Sequence, residues 1–241
     1  MTTPDERQAG PAPSIWLRSE RGSRGPVSAW TRDDVAQAGI ALADIGGIDA
    51  VTMRSVAARL GTAGASLYRI VDSHEQVLEL MADTVIGEFD FAPAPPGSGS
   101  AGMLALATQA RAIYARHPWM LALPSASPVL GPNATAYLDR ALGALEGSGL
   151  SMRKRLEAVG VISGFVRVLA IEDARSDQGK LSPQWQQALT AHLRATVADG
   201  THPHLAAALL DAPAAPAPAG DRFSALVLLV IESIVGVGHV D

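Results

Sequence analysis

The 241-residue chain contains no cysteine, which excludes disulfides, thiolate zinc sites and a cysteine nucleophile together. That composition fits a cytoplasmic protein. Charged residues are few, at 18% against 48% apolar, a balance that builds a globular core rather than a disordered chain. Long apolar runs are missing: the most apolar stretch, Phe223 to Val237, is interrupted by Glu232 and falls short of the roughly 20 residues a membrane span requires. It is expected as a buried helix, with no membrane partner. The N-terminus has no basic region followed by an apolar run, so no secretory signal is expected. No segment alternates apolar and polar residues as a half-buried strand does, and no internal repeat occurs. The expected fold class is all-α.

The patterns of catalysis are absent too. Gly64-Ala-Ser-Leu-Tyr68 fails the nucleophile-elbow pattern at its last position. No glycine loop cradles a phosphate, and no dinucleotide fingerprint follows a strand. Glu172 and Asp173 stand near Arg175 at a helix end, where solvation accounts for them. His117, His192, His202, His204 and His239 are scattered. Only His202-Pro-His204 forms a close pair, and no acidic residue shares an obvious helical face with it. Neither an enzyme, a metal nor a cofactor is expected.

What is present concentrates in residues 52–71. Thr52 is a plausible N-cap, its hydroxyl accepting from an orphaned amide of the first turn. Met53, Val56, Ala57 and Leu60 then fall on one helical face. Gly61 can adopt the left-handed conformation that ends a helix. A second helix follows, with Leu67, Ile70 and Val71 inward and Thr62, Ala63, Gly64, Ala65, Ser66, Tyr68 and Arg69 on or near the outer face. Small outward groups let a helix seat deeply in a major groove, while Ser, Tyr and Arg donate to phosphates or base edges. Spacing alone fits two structures equally, a helix-turn-helix DNA reader and a helical hairpin packed in a core.

Residues 31–83 resemble the N-terminal domain of the tetracycline-repressor (TetR) family. The resemblance rests on Thr31-Arg-Asp-Asp-Val through Ala43-Asp-Ile-Gly-Gly, on Met53-Arg-Ser-Val-Ala-Ala-Arg-Leu-Gly61, on Ser66-Leu-Tyr-Arg69, and on Ser73-His-Glu-Gln-Val-Leu78. It implies a three-helix bundle with a helix-turn-helix, then a helical ligand-binding and dimerisation domain. The expected boundaries are a flexible arm at 1–29, a DNA-binding domain at 30–76 and the effector and dimer domain at 77–241. The DNA contacts implied are Thr52 and Arg54 ahead of the turn, Thr62, Gly64, Ala65, Ser66, Tyr68 and Arg69 after it, and His74, which stands where the family usually places a lysine. The implied activity is that of a homodimeric repressor on a palindromic double-stranded operator, released by a small-molecule effector. An activator with the same contacts remains open. So does a ligand-binding dimer whose DNA role is lost, because Gly64 stands where the family often has a larger polar residue.

The net charge of −5 runs against DNA binding until it is divided. Residues 1–71 carry +1 and residues 72–241 carry −6, so only the reading end is not acidic. Local charge, not the total, sets affinity for phosphates. So small an excess predicts salt-sensitive binding with few contacts per head, which calls for two heads.

Elsewhere, Arg18, Arg21 and Arg24 in the Pro/Gly/Ser-rich arm are placed to reach a neighbouring groove, although a solvated tail is the simpler reading. The first helix is expected to bury Val35, Ala38, Leu42 and Ile45, with Asp44 and Asp49 solvated or capping. The helix opening at Ser73, with Val77, Met81, Val85 and Phe89 four residues apart, is the expected lever between the two halves. Residues 91–100 look like an unpacked linker. Helices are expected at 101–116, 132–146, 151–174, 183–197 and 221–237, with a break at His117-Pro-Trp119 and a loop at 212–220. The 151–174 helix has an apolar row at Leu156, Val159, Ile162, Val166 and Leu169, flanked by Phe165 and Val168. The last helix is apolar nearly all round. In the family two such helices pair with their symmetry mates, and Gly160, Gly164, Gly236 and Gly238 would allow close approach.

His117-Pro-Trp-Met-Leu-Ala-Leu123, Leu130-Gly-Pro-Asn-Ala-Thr-Ala-Tyr-Leu-Asp139 and Gly149-Leu-Ser151 are similar to the C-terminal domain of the tetracycline-repressor branch. Two departures argue against a tetracycline–magnesium ligand. Ser127 replaces the metal-binding histidine, and Phe89 and Asp90 stand where a drug-contacting histidine is expected. The apolar balance of the region points to a hydrophobic, aromatic effector oriented by a few polar groups. Candidate contacts are Phe89, Arg111, Tyr114, His117, Trp119, Tyr137 and Phe165, for each of which plain core packing is the alternative.

Overall fold

The computed structural model describes residues 14–17, 29–123, 131–177, 183–198, 200–211 and 219–237, and every regular element among them is helical. Helix α1 (Arg32–Gly46) starts at a capping box, in which the Thr31 hydroxyl accepts from Asp34 N at 3.1 Å and the Asp34 carboxylate accepts from Thr31 N at 2.8 Å. The Thr31 hydroxyl, and then its amide, holds the Asp34 carboxyl below its ordinary range. Helices α2 (Met53–Arg59) and α3 (Gly64–Leu67) follow, and α4 (His74–Ile86) lies across α1. Val35, Ile40, Val56, Leu67, Val77 and Met81 fill the core between them. A side chain at Gly39 would collide with Met81, so the close α1–α4 approach needs glycine there.

Two expectations for this half are corrected. Ile45 is 85% exposed, because the inward row of α1 runs through Val35, Ala36, Gly39, Ile40 and Ala43, and Ile45 falls outside that arc. The stretch 1–29 is also not free throughout. A single 3-10 turn, Ile15–Leu17, docks on α4, with Ile15 fully buried in the first core. Glu79 of α4 accepts from Ser14 Oγ at 2.7 Å and from Ile15 N at 3.1 Å. Arg18, Arg21 and Arg24 lie outside the described residues.

The second half is a bundle of α5 (Gly99–Arg116), α6 (Pro132–Ala144), α7 (Met152–Asp177) and α10 (Ala219–Val237). Met103, Leu106, Leu145, Val159, Ile162 and Val227 are among the residues of its core. The segment expected as an unpacked linker is packed: Ala94 is fully buried, Phe91 lies against the second core, and Gly97 N donates to Gly143 O at 2.8 Å. Proline removes donors and forbids helix, but it does not prevent burial. A 3-10 turn, Pro118–Ala122, fills the expected break after α5.

Leu156 is 51% exposed. The inward row of α7 passes instead through Ala158, Val159, Ile162, Val166 and Leu169, leaving Met152, Leu156, Val161 and Val168 outward. Helices α8 (Pro183–Val197) and α9 (Pro203–Asp211) pack on each other. The second of these was not anticipated; Pro203 opens it between His202 and His204, both exposed. Ser127, most of the 212–220 loop, Gly238 and His239 lie outside the described residues. No described helix is long and apolar enough to cross a membrane.

Candidate nucleic-acid interface and effector cavity

The turn between α2 and α3 is built by local hydrogen bonds. Thr52 caps α2 as expected: its hydroxyl accepts from Ser55 N at 3.0 Å, and its own N–H donates to Ser55 Oγ at 2.8 Å. Gly61 sits at φ 67°, the conformation that a Cβ would oppose. Beyond it Thr62 N donates to Ala57 O and Gly61 N to Ala58 O, satisfying the last carbonyls of α2 in a Schellman-like end. Helix α3 is one turn long, shorter than expected. Bonds from Tyr68, Arg69, Ile70 and Val71 N back to Gly64, Ser66 and Leu67 O continue its coil to residue 71.

Leu67 and Val71 are fully buried and pin this coil to the core. That leaves Gly64, Ala65, Ser66, Tyr68 and Arg69 exposed and Thr62 half-buried. Arg54 is exposed on α2, and an open groove between the two helices is lined by Arg54, Ala57, Thr62, Gly64 and Tyr68, among others. His74 is half-buried, with Nε2 2.8 Å from Val51 O. A carbonyl only accepts, so Nε2 carries the hydrogen and ties the start of α4 to the entry of α2. Nδ1 is then the acceptor of a neutral ring, and it can donate to a phosphate only when the ring is doubly protonated.

A cavity of about 120 Å³ opens between α4, α5, α6 and α7. Three expected residues line it: Phe89, Tyr114 and Tyr137. The rest of the wall was missed, namely Ile86, Ala107, Ala110, Ile113, Met120, Ile162, Ser163 and Val166. In sequence these are inward apolar positions like any others; only Ser163 breaks the pattern. No lining residue carries a formal charge. Phe89 packs on Tyr137 at 4.7 Å between ring centroids, and Tyr137 Oη lies 3.3 Å from Ser163 Oγ. Burial pushes the Tyr114 and Tyr137 phenols above their ordinary range, which disfavours the phenolate further.

The other four candidates lie off the cavity wall. Arg111 donates to Asp173 Oδ2 at 2.7 Å and stands 4.8 Å over the Phe223 ring, bracing α5 against α7 and α10. Asp173, expected to be solvated, is therefore paired. Phe165 packs against the second core. His117 and Trp119 meet Asp44 of α1: His117 Nδ1 and Trp119 Nε1 each lie 2.7 Å from Asp44 Oδ1. Asp44, expected to be solvated or capping, is exposed and also ties these two side chains to α1. His117 Nε2 lies 3.0 Å from Glu88 Oε1, and Arg116 pairs with the same carboxylate. Burial works against the Glu88 charge, but hydrogen bonds from Arg116 and His117 outweigh it and hold the carboxyl below its ordinary range.

An all-α frame that carries a capped helix-turn-helix and, apart from it, a partly open apolar cavity has the layout of a DNA-binding regulator with a ligand-binding domain. Residues 91–234 match the family model of the tetracyclin repressor-like C-terminal domain, and the chain belongs to the TetR family of transcriptional regulators. It is 33% identical over 199 residues to the HTH-type transcriptional repressor DrrR1 of Streptomyces coeruleorubidus, covering 80% of this chain and 73% of that one. It is 32% identical over 187 residues to an HTH-type transcriptional regulator of Saccharopolyspora erythraea, covering 77% and 78%. Among solved structures it resembles ActR of Streptomyces coelicolor in complex with actinorhodin, at a TM-score of 0.73 and 23% identity, over 89% of this chain and 99% of that one. At that identity the likeness is one of fold.

Proposed function

We propose that the chain acts as a two-fold dimer that represses from a palindromic operator and is released by a small, uncharged, largely apolar effector held in the cavity. The carrying observation is the pairing of two surfaces on one frame. Ser66, Tyr68 and Arg69 project from a coil pinned by Leu67 and Val71, while the cavity is walled by the end of α4, the helix that opens beside that coil.

Ser66, Tyr68 and Arg69 carry most contacts of the recognition helix, with Tyr68 on phosphate. Thr62, Gly64 and Ala65 allow close approach, Thr52 and Arg54 anchor the backbone, and His74 adds at most one contact. Residues 30–76 form the reading head and 77–241 the effector and dimer domain. The dimer is supported by exposed apolar residues on both flanks of the buried arc of α7, Met152 and Leu156 on one and Val161 and Val168 on the other, and by Leu229 of α10, all more than half exposed in the single chain. Exposed apolar side chains gathered on neighbouring helices are a mark of protein–protein contact. Phe89, Tyr114 and Tyr137 contact the effector. An ionised effector would lose its hydration without gaining a partner among the uncharged lining residues. By linkage, an effector that favours the DNA-incompetent arrangement weakens operator binding by the factor by which the operator weakens effector binding.

The test is selection of genomic fragments with the purified dimer, followed by fluorescence anisotropy on the recovered duplex across a salt series. Palindrome-dependent binding that weakens steeply with salt is the expected result. Equal affinity for a scrambled duplex at every salt concentration, from protein refolded to remove any bound effector, would overturn the reading.

A further inference from the structure

Asp83 sits in the C-terminal half of the lever helix, only 2% exposed. No feature of the reading head or of the cavity wall uses it. Its carboxylate points into the first turn of α6, accepting from Ala134 N at 2.9 Å and Asn133 N at 3.3 Å. Its backbone carbonyl accepts from Asn133 Nδ2 at 3.0 Å.

Helix α6 has no cap of its own, because the N-cap residue is Gly131, which offers no side chain. The cap is supplied in trans by α4, where a carboxylate meets both the orphaned amides and the positive end of the helix dipole. Two glycines keep the site clear. A Cβ at Gly131 would collide with the Asp83 carboxylate, and one at Gly87 would press on the Asn133 amide. Six residues beyond the cap, α6 carries Tyr137, which packs on Phe89 and lines the cavity. The start of α4 is tied to the reading head by His74 on Val51 O. The lever is thus gripped at its head end by His74 and, in its C-terminal half, by α6.

We propose that Asp83 is the positioning residue that couples α6 to the lever, so that the trans cap sets how α4 presents the reading head to the operator. The role rests on the repressor reading above. When an occupant of the cavity shifts α6 through Tyr137, the cap obliges α4 to follow.

Asp83→Ala alone does not separate coupling from stability, because it also uncaps α6. The decisive variant is Asp83→Ala with Gly131→Ser. Gly131 has extended backbone at φ −72° and ψ 169°, which suits a serine N-cap, and removing the carboxylate clears the space its Cβ needs. The double variant therefore restores the cap within α6 but not the link to α4.

Two readouts are taken on the full-length protein: anisotropy on the selected operator, and hydrogen exchange over residues 74–86 without DNA. Expected are a melting temperature above that of Asp83→Ala alone, operator affinity at least about tenfold weaker than wild type, and faster exchange in α4. The Asn133 side-chain bond to the Asp83 carbonyl survives the change, so the loss is partial. A double variant with wild-type exchange in α4 would make Asp83 a cap and nothing more, whatever the DNA result. Wild-type operator affinity in that variant would refute the coupling equally. Failure of the wild-type protein itself to bind any selected duplex would sink the repressor reading, and the exchange measurement would still decide the cap.

Discussion

The reading head and the effector half solve opposite problems with the same element. In the head the functional groups are outside, and a small core (Leu67, Val71, Val56) exists to aim them. In the effector half the functional surface is inside, and the groups that would touch a ligand (Ile113, Ile162, Val166) are the same kind that pack the core around it. An outward site needs fixed turn geometry, and turn geometry is carried by a few positions of restricted residue type such as Thr52 and Gly61. An inward site needs only apolar volume, which many residues supply.

The sharpest way to break the contrast is to remove an outward group and ask whether anything else changes. Arg69→Ala is expected to abolish specific operator binding, a loss of about 100-fold or more, because each of two heads forfeits about 1–3 kcal/mol of base or phosphate contact. Arg69 is exposed and its neighbours Leu67 and Val71 do the packing, so sedimentation and thermal melting should match wild type. Retention of wild-type affinity would place the recognition surface on another face of the coil.

The same contrast explains what could be read in advance. The head was legible because Thr52, Gly61 and Leu67 carry local marks: a side-chain cap, a glycine at the left-handed turn and a buried position at helical spacing. The cavity wall was not: Ala107, Ala110, Ile162 and Val166 carry no mark that separates a ligand wall from a core. The polar and aromatic residues that did stand out mostly serve as joints. Arg111 braces Asp173, while His117 and Trp119 hold Asp44. These are contacts 62 to 75 residues apart in the chain, which no local pattern encodes. Ile45 and Leu156 show a related limit, since a periodic row gives a helix its apolar face without fixing how wide an arc the neighbours cover.

The joint between the halves is the next place to press. Asp44 on α1 accepts from both Trp119 and His117 through one oxygen. Asp44→Ala leaves the buried Trp119 indole N–H without that acceptor, and the expected cost is about 2 kcal/mol in urea unfolding. Unchanged stability would mean that this joint rests on the apolar contact of Trp119 and Met120 with the head's core.

A weaker effect should come from pH. Glu88 has its carboxyl held below the ordinary range by Arg116 and His117, against the opposing effect of burial. A carboxyl depressed in the folded state contributes stability that is present above its unfolded pKa and is lost as pH falls through the folded one. Stability should therefore fall as the pH is lowered through the carboxylate range, and Glu88→Gln should flatten that part of the profile relative to wild type. Its partial exposure and solvent screening keep the contribution small. An identical acid profile in the variant would remove Glu88 from the joint.

Thr52 offers the finest test, because its hydroxyl is claimed by both sides of the comparison. It caps α2 through Ser55 N, and its place at the entry to the reading coil also makes it a phosphate contact in the proposed complex. Thr52→Ala should lose about 1 kcal/mol of stability for the missing cap, together with a few-fold of operator affinity. Thr52→Ser keeps the hydroxyl and so should recover both. If Ser restores stability but leaves the affinity of the Ala variant, the methyl group meets the DNA and the hydroxyl belongs to the fold. If Ala costs stability and no affinity at all, Thr52 builds the head without touching the operator.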